Sequence, residues 1–140
     1  MILSAEQLLS DQQAITGTAV STNVINLGTP GTPVGGAAAL SQDIGKGNKI
    51  PFVIQVTEAF NNLTSLTIAI ETGATTSLGT VVVSKTYALA AINSAGTQFS
   101  IDVVPNDVSE KYLGVRYTVS GSSPSAGAVT AGVTMGNQTN

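Results

Sequence analysis

The chain has 140 residues, the length of a single domain, and 9% of them are charged for a formal net charge of −3. Five cations spread through such a chain make no basic patch for displacing counterions from nucleic acid, so direct DNA or RNA binding is excluded. Neither cysteine nor histidine is present, which removes disulfides, thiolate metal sites and the usual Ser-His-Asp, Cys-His and zinc-hydrolase arrangements together.

The opening residues, Met1 to Glu6, lack a basic n-region, and no apolar run approaches the ~20 residues needed to cross a bilayer. The expectation is a product made in the cytoplasm without a membrane anchor. Ser4-Ala5-Glu6-Gln7 has capping-box spacing flanked by Leu3 and Leu8, which predicts about one helical turn within an extended N-terminal arm, residues 1–13. Residues 14–20 and 23–27 are rich in Thr, Val and Ile, and their alternation slips at Ser21-Thr22-Asn23, which predicts short strands separated by a bulge or break. Pro30 and Pro33 prevent a ladder, so 28–49 reads as an extended Gly/Pro loop.

Beyond it, the alternation of 51–57 sets Phe52, Ile54 and Val56 on one face, and that of 64–71 does the same with Leu66, Ile68 and Ile70. Asn61-Asn62 between them supplies a turn, and a hairpin is expected. Residues 80–87, with Val81-Val82-Val83, and 97–104, with Phe99, Ile101 and Val103, read as further strands. The cleanest alternation is 112–120, where Leu113, Val115, Tyr117 and Val119 face the core and Tyr112, Gly114, Arg116 and Thr118 face water. Asp107-Val108-Ser109-Glu110 just before it repeats the capping spacing of a single turn. A last strand, 128–135, carries Val129, Ala131, Val133 and Met135 on one side and is expected antiparallel to its predecessor. About seven or eight short strands without a long helix predict an all-β fold: one jelly-roll-like antiparallel β-sandwich spanning residues 1–140.

Candidate chemistry is sparse. A carboxylate pair drawn from Glu58, Glu71, Asp102, Asp107 and Glu110 could in principle cleave a glycoside, but strand ends and caps account for these positions. No Asp-x-Asp-x-Asp-Gly run suggests calcium. Gly45-Lys46-Gly47-Asn48-Lys49 lacks the spacing of a phosphate loop and precedes a strand instead of a helix. Asn62-Leu63-Thr64 and Asn137-Gln138-Thr139 match glycosylation sequons, which mean little without a secretory signal. The expectation is therefore no enzyme, with no catalytic, cofactor-binding or metal residues.

Several stretches, in order, carry a resemblance: Ala14-Ile15-Thr16 through Val24-Ile25-Asn26-Leu27-Gly28, Asp43-Ile44-Gly45-Lys46-Gly47, and Phe60-Asn61-Asn62-Leu63-Thr64-Ser65-Leu66-Thr67. The C-terminal half adds Lys111 to Gly121 and Thr130-Ala131-Gly132-Val133-Thr134-Met135-Gly136. Together they resemble the capsid cement, or decoration, proteins of tailed bacteriophages. That resemblance implies a jelly-roll subunit on the outer surface of an icosahedral shell, locking neighbouring major capsid proteins together, with no cofactor and no catalytic residue. Gly114 departs from the larger or charged residue expected there.

The expected partners are the phage major capsid protein and the chain itself, as a homodimer before a homotrimer, because a small sandwich has open edges to cover. No nucleic acid or membrane partner is expected. Shell contact is assigned to 1–13, 28–49 and the tail 136–140. The competing reading is a carbohydrate- or receptor-binding sandwich, a fibre or spike head, whose aromatic platform would have to come from Tyr87, Tyr112 and Tyr117.

Overall fold

The computed structural model describes residues 3–40, 47–104 and 107–135. Nine strands and one short helix follow in order: β1 (Leu3–Ala14), β2 (Ala19–Val20), β3 (Ile25–Asn26), β4 (Ile50–Glu58), β5 (Leu63–Gly73), β6 (Thr80–Ala88), α1 (Leu89–Ile92), β7 (Gln98–Val103), β8 (Tyr112–Gly121) and β9 (Ala128–Thr134). One sheet runs β1-β9-β4-β7, and the other runs β2-β8-β5-β6, with β3 also paired to β8. All pairings are antiparallel. Taking β2 and β3 as halves of one broken strand, the eight strands lie 1-8-3-6 and 2-7-4-5, the order of a jelly roll. The all-β sandwich expected from the sequence is the observed fold.

The core lies between the sheets. Phe52, Ile54 and Val56 of β4, Ile101 and Val103 of β7 and Val129 and Ala131 of β9 face Leu66, Ile68 and Ile70 of β5 and Val115 and Tyr117 of β8, all buried. Tyrosine 117 carries a hydroxyl into this layer, and it is met by Ser10 Oγ at 2.8 Å, which in turn donates to Gln13 Oε1 at 2.7 Å. Each buried polar atom in that chain thus has a partner, as burial requires.

Four expectations need correction. Residues 1–13 are no free arm: from Leu3 onward they form β1, paired with β9, and Leu9 and Ser10 are fully buried. The capping spacing at Ser4 to Gln7 accordingly makes no helical turn, because the chain there is held in a ladder. Strands β4 and β5 do not form a hairpin, since β4 pairs with β7 and β9 while β5 pairs with β6 and β8. The four-residue connection between them crosses from one sheet to the other. For the same reason β9 does not pair with β8 but inserts between β1 and β4.

The break at Ser21 is present and has a clear cause. Ser21 N donates to Val115 O at 2.7 Å, while its hydroxyl accepts from Val115 N at 3.1 Å and donates to Asn23 O at 2.8 Å. A side chain thereby takes over one rung of the ladder between β2 and β3.

The outer face of β8 is not uniformly wet. Gly114 is buried, and a Cβ there would lie 2.9 Å from Leu78 Cδ1 and 3.0 Å from Val24 Cγ1. The β5–β6 connection folds over this face and is tied down by Arg116, whose Nη2 donates to Ser77 O at 2.7 Å and whose Nε donates to Glu71 Oε2 at 2.8 Å. The departure noted at Gly114 therefore reflects close packing against Leu78 and Val24.

Candidate interaction surface

The β3–β4 connection leaves the sandwich through a fixed root. Leu27 N donates to Lys111 O at 2.8 Å, and Gly28 N donates to Asn26 Oδ1 at 2.9 Å. From there every residue from 31 to 40 is exposed, so the segment contributes nothing to the core between the sheets. It is nevertheless ordered from within: Leu40 N donates to Gly31 O at 3.1 Å, and Gly36 N donates to Pro33 O at 2.9 Å, closing a β-turn with Val34 at its second position. No charged residue occurs between Leu27 and Leu40. The sequence reading placed this loop correctly from its prolines. Residues 41–46, including Gly45 and Lys46, lie outside the described residues, as does the tail 136–140, while Gly47 to Lys49 are exposed.

The opposite end of the sandwich is built differently. Asn61, between β4 and β5, accepts from Ser125 N at 2.9 Å and Ala126 N at 3.1 Å, and its Nδ2 donates to Ser125 Oγ at 3.0 Å. One amide therefore clips the β4–β5 and β8–β9 connections together. The side chain of Phe60 fills the space where a Cβ on Gly127 would lie, and Gly127 has φ +135°, so only glycine fits that corner.

The remaining sequence candidates stay apart. Tyr117 is in the core. Tyr87 stacks on Phe99 with ring centroids 3.9 Å apart, and burial raises its pKa. Tyr112 sits under Lys111 Nζ, 5.2 Å from the ring centroid. Three tyrosines so placed form no common platform for a sugar ring. Among the carboxylates, Glu71 is buried and held by Arg116, Glu110 accepts from Thr80 Oγ1 at 3.2 Å, and Glu58, Asp102 and Asp107 are exposed. Among the described residues no group of three acidic side chains comes together to hold a metal, and no helix is long and apolar enough to cross a membrane.

The family model Bbp16 matches residues 9–133, from the middle of β1 to the penultimate residue of β9. The chain belongs to the Bbp16 family. The Bbp16 match covers both sheets and the whole β3–β4 loop, so the exposed loop is part of the shared domain and not an appendage to it. Among curated proteins nothing matches the chain.

Proposed function

We propose that this protein is a structural component of a phage particle: a capsid cement that binds the outer surface of an assembled shell and strengthens contacts between neighbouring major capsid proteins. The observation that carries the reading is the uncharged loop of residues 31–40, exposed throughout and held out from a closed jelly-roll body. A rigid body with a self-ordered loop loses little entropy on docking. A neutral contact is also insensitive to the screening that weakens exposed ion pairs over about 8 Å at physiological ionic strength. Membership of the Bbp16 family, whose name suggests a phage-related protein, supports the same reading.

In this reading the chain has no catalytic role, and its partners are the major capsid protein and a second copy of itself. Homodimers at local two-fold axes take precedence over trimers. A dimer that engages two neighbouring capsid proteins at once raises its overall binding over either contact alone by factors on the order of 10²–10⁴. The sugar-binding alternative would need the tyrosines together, and they are scattered over core, edge and end.

The test is co-sedimentation of the full-length protein with shells prepared without it. Binding at a fixed number of copies per shell, with a raised temperature of shell disruption, is the expected result. A protein that stays in the supernatant at micromolar concentration, leaving shell stability unchanged, refutes the proposal.

A further inference from the structure

The two ends of the sandwich differ in kind. The described residues contain six exposed large apolar side chains: Leu27, Val34, Leu40, Ile50, Val81 and Met135. The strand register places all six at one end. Ile50 opens β4 opposite Val103, the last residue of β7, and Met135 follows β9, whose Thr134 lies opposite Leu3. Leu27 follows β3, whose Asn26 lies opposite Tyr112 at the start of β8, and Val81 is the second residue of β6, opposite Glu71 near the close of β5. Val34 and Leu40 are carried by the loop that springs from this same end. At the other end, where Asn61 clips the β4–β5 and β8–β9 connections together, no exposed large apolar side chain occurs among the described residues.

Six such side chains on one end exceed the scattered singles expected on a surface. The chain itself has little with which to cover them: residues 1–2, 41–46, 105–106 and 136–140 hold only Met1, Ile2 and Ile44 as large apolar residues. A second copy is also a poor fit. Among the described residues the charged groups near this end are Glu6, Asp102, Asp107, Glu110, Lys49 and Lys111, so two copies meeting head to head would oppose an acidic excess to itself. Residues 27–40, by contrast, carry no charge, which suits a partner surface that is apolar and equally uncharged. Loop, strand ends and rim together offer roughly the 20 residues that one side of a standard interface contributes.

We propose that this end is the face by which the protein docks, with the Gly31–Leu40 loop seating Val34 in an apolar, uncharged depression on the shell. The inference rests on the cement reading and adds its orientation. Val34 stands wholly in solvent, at the corner of a turn closed by backbone hydrogen bonds. The knob is therefore presented before any partner arrives, and the opposite, polar end points away from the shell.

The test compares full-length wild type with Val34→Asp and Leu40→Asp, and with Ser123→Asp at the far end, by co-sedimentation with shells lacking the protein. Circular dichroism melts verify that all four fold alike, as substitutions at exposed loop positions should. Val34→Asp and Leu40→Asp are each expected to weaken binding about tenfold or more, and Ser123→Asp to leave it unchanged. Wild-type binding is expected to vary less than about threefold between roughly 0.05 and 0.5 M salt. If the wild type binds but both loop variants bind equally well, or Ser123→Asp is the variant that fails, the orientation is wrong and the cement reading stands. If Val34→Asp instead breaks a dimer of the free protein while leaving shell binding intact, a second copy occupies this face and the proposal is overturned. A wild type that ignores shells refutes both.

Discussion

Replacing Ser10 with alanine should destabilise the protein more than replacing Tyr117 with phenylalanine, although Tyr117 is the larger residue and loses the same bond. A hydroxyl has one hydrogen. Ser10 spends its own on Gln13 Oε1, so the 2.8 Å contact with Tyr117 must be donated by the tyrosine. Tyr117→Phe removes a donor and leaves Ser10 still bonded to Gln13, for a cost near the net worth of one hydrogen bond, about 1 kcal/mol. Ser10→Ala strands a phenol hydrogen in the core, where Tyr117 has no exposure, and that carries the desolvation penalty of an unmet donor, about 2–3 kcal/mol. Gln13 is less affected, because its Oε1 also accepts from Thr22 N at 2.9 Å.

The double variant removes the stranded donor and should be no less stable than Ser10→Ala alone, so the two effects are strongly non-additive. Urea unfolding followed by far-ultraviolet circular dichroism reads this directly. With a slope of about 2 kcal/mol per molar urea, Ser10→Ala should lower the midpoint by about 1 M and Tyr117→Phe by about half that. Strict additivity, or a greater loss for Tyr117→Phe, would refute the assignment of donor and acceptor.

The same tyrosine sets the alkaline limit. Burial raises the Tyr117 pKa well above its ordinary 10.0, so above pH 10 the unfolded chain sheds this proton first and stability falls as pH climbs toward the folded value. Tyr117→Phe should flatten that fall in melts recorded from pH 8 upward, and an unchanged slope would contradict it. Arg116→Met leaves the buried Glu71 carboxylate without its partner and should cost about 2–3 kcal/mol, whereas Glu71→Leu combined with Arg116→Met should recover part of the loss; thermal denaturation of the three proteins decides. Thr57 Oγ1 is buried without a hydrogen-bond partner, so Thr57→Val should raise stability by about 1 kcal/mol in the same assay. Gly127→Ala, forced into a left-handed backbone against Phe60, should yield a destabilised or insoluble product, measured as the soluble fraction on expression.

Strands with one face on the core were legible in the sequence to within a residue or two. In β4, β7 and β8 the period of two survives because a single sheet face contacts a single core. Strand β1 was misread because its pairing with β9 shifts register three times and Gln12 takes a positive φ, which sets Leu9 and Ser10 inward side by side and erases any alternation. The burial of Glu71 and Gly114 on an outer face was invisible for another reason: it arises from a connection folding over that face, a tertiary event with no local pattern. The helix α1 was missed as well, being four residues long with only Ile92 buried and no side-chain cap. Partner choice between sheets also escaped local reading, since a short connection serves a hairpin and a crossover alike. The exposed loop was visible because Pro30 and Pro33, three residues apart and flanked by glycines, deny a ladder its amide donors, but the gathering of exposed apolar residues at one end required the register of every strand.

Strand β9 lies between β1 and β4, both far from it along the chain. Until β9 has been made, these two neighbours hold open rows of amide and carbonyl groups, and half the sandwich has no centre. A polypeptide that stops short of residue 128 therefore presents two raw edges that invite aggregation or proteolysis. Topology alone thus marks such a truncated copy as unfinished.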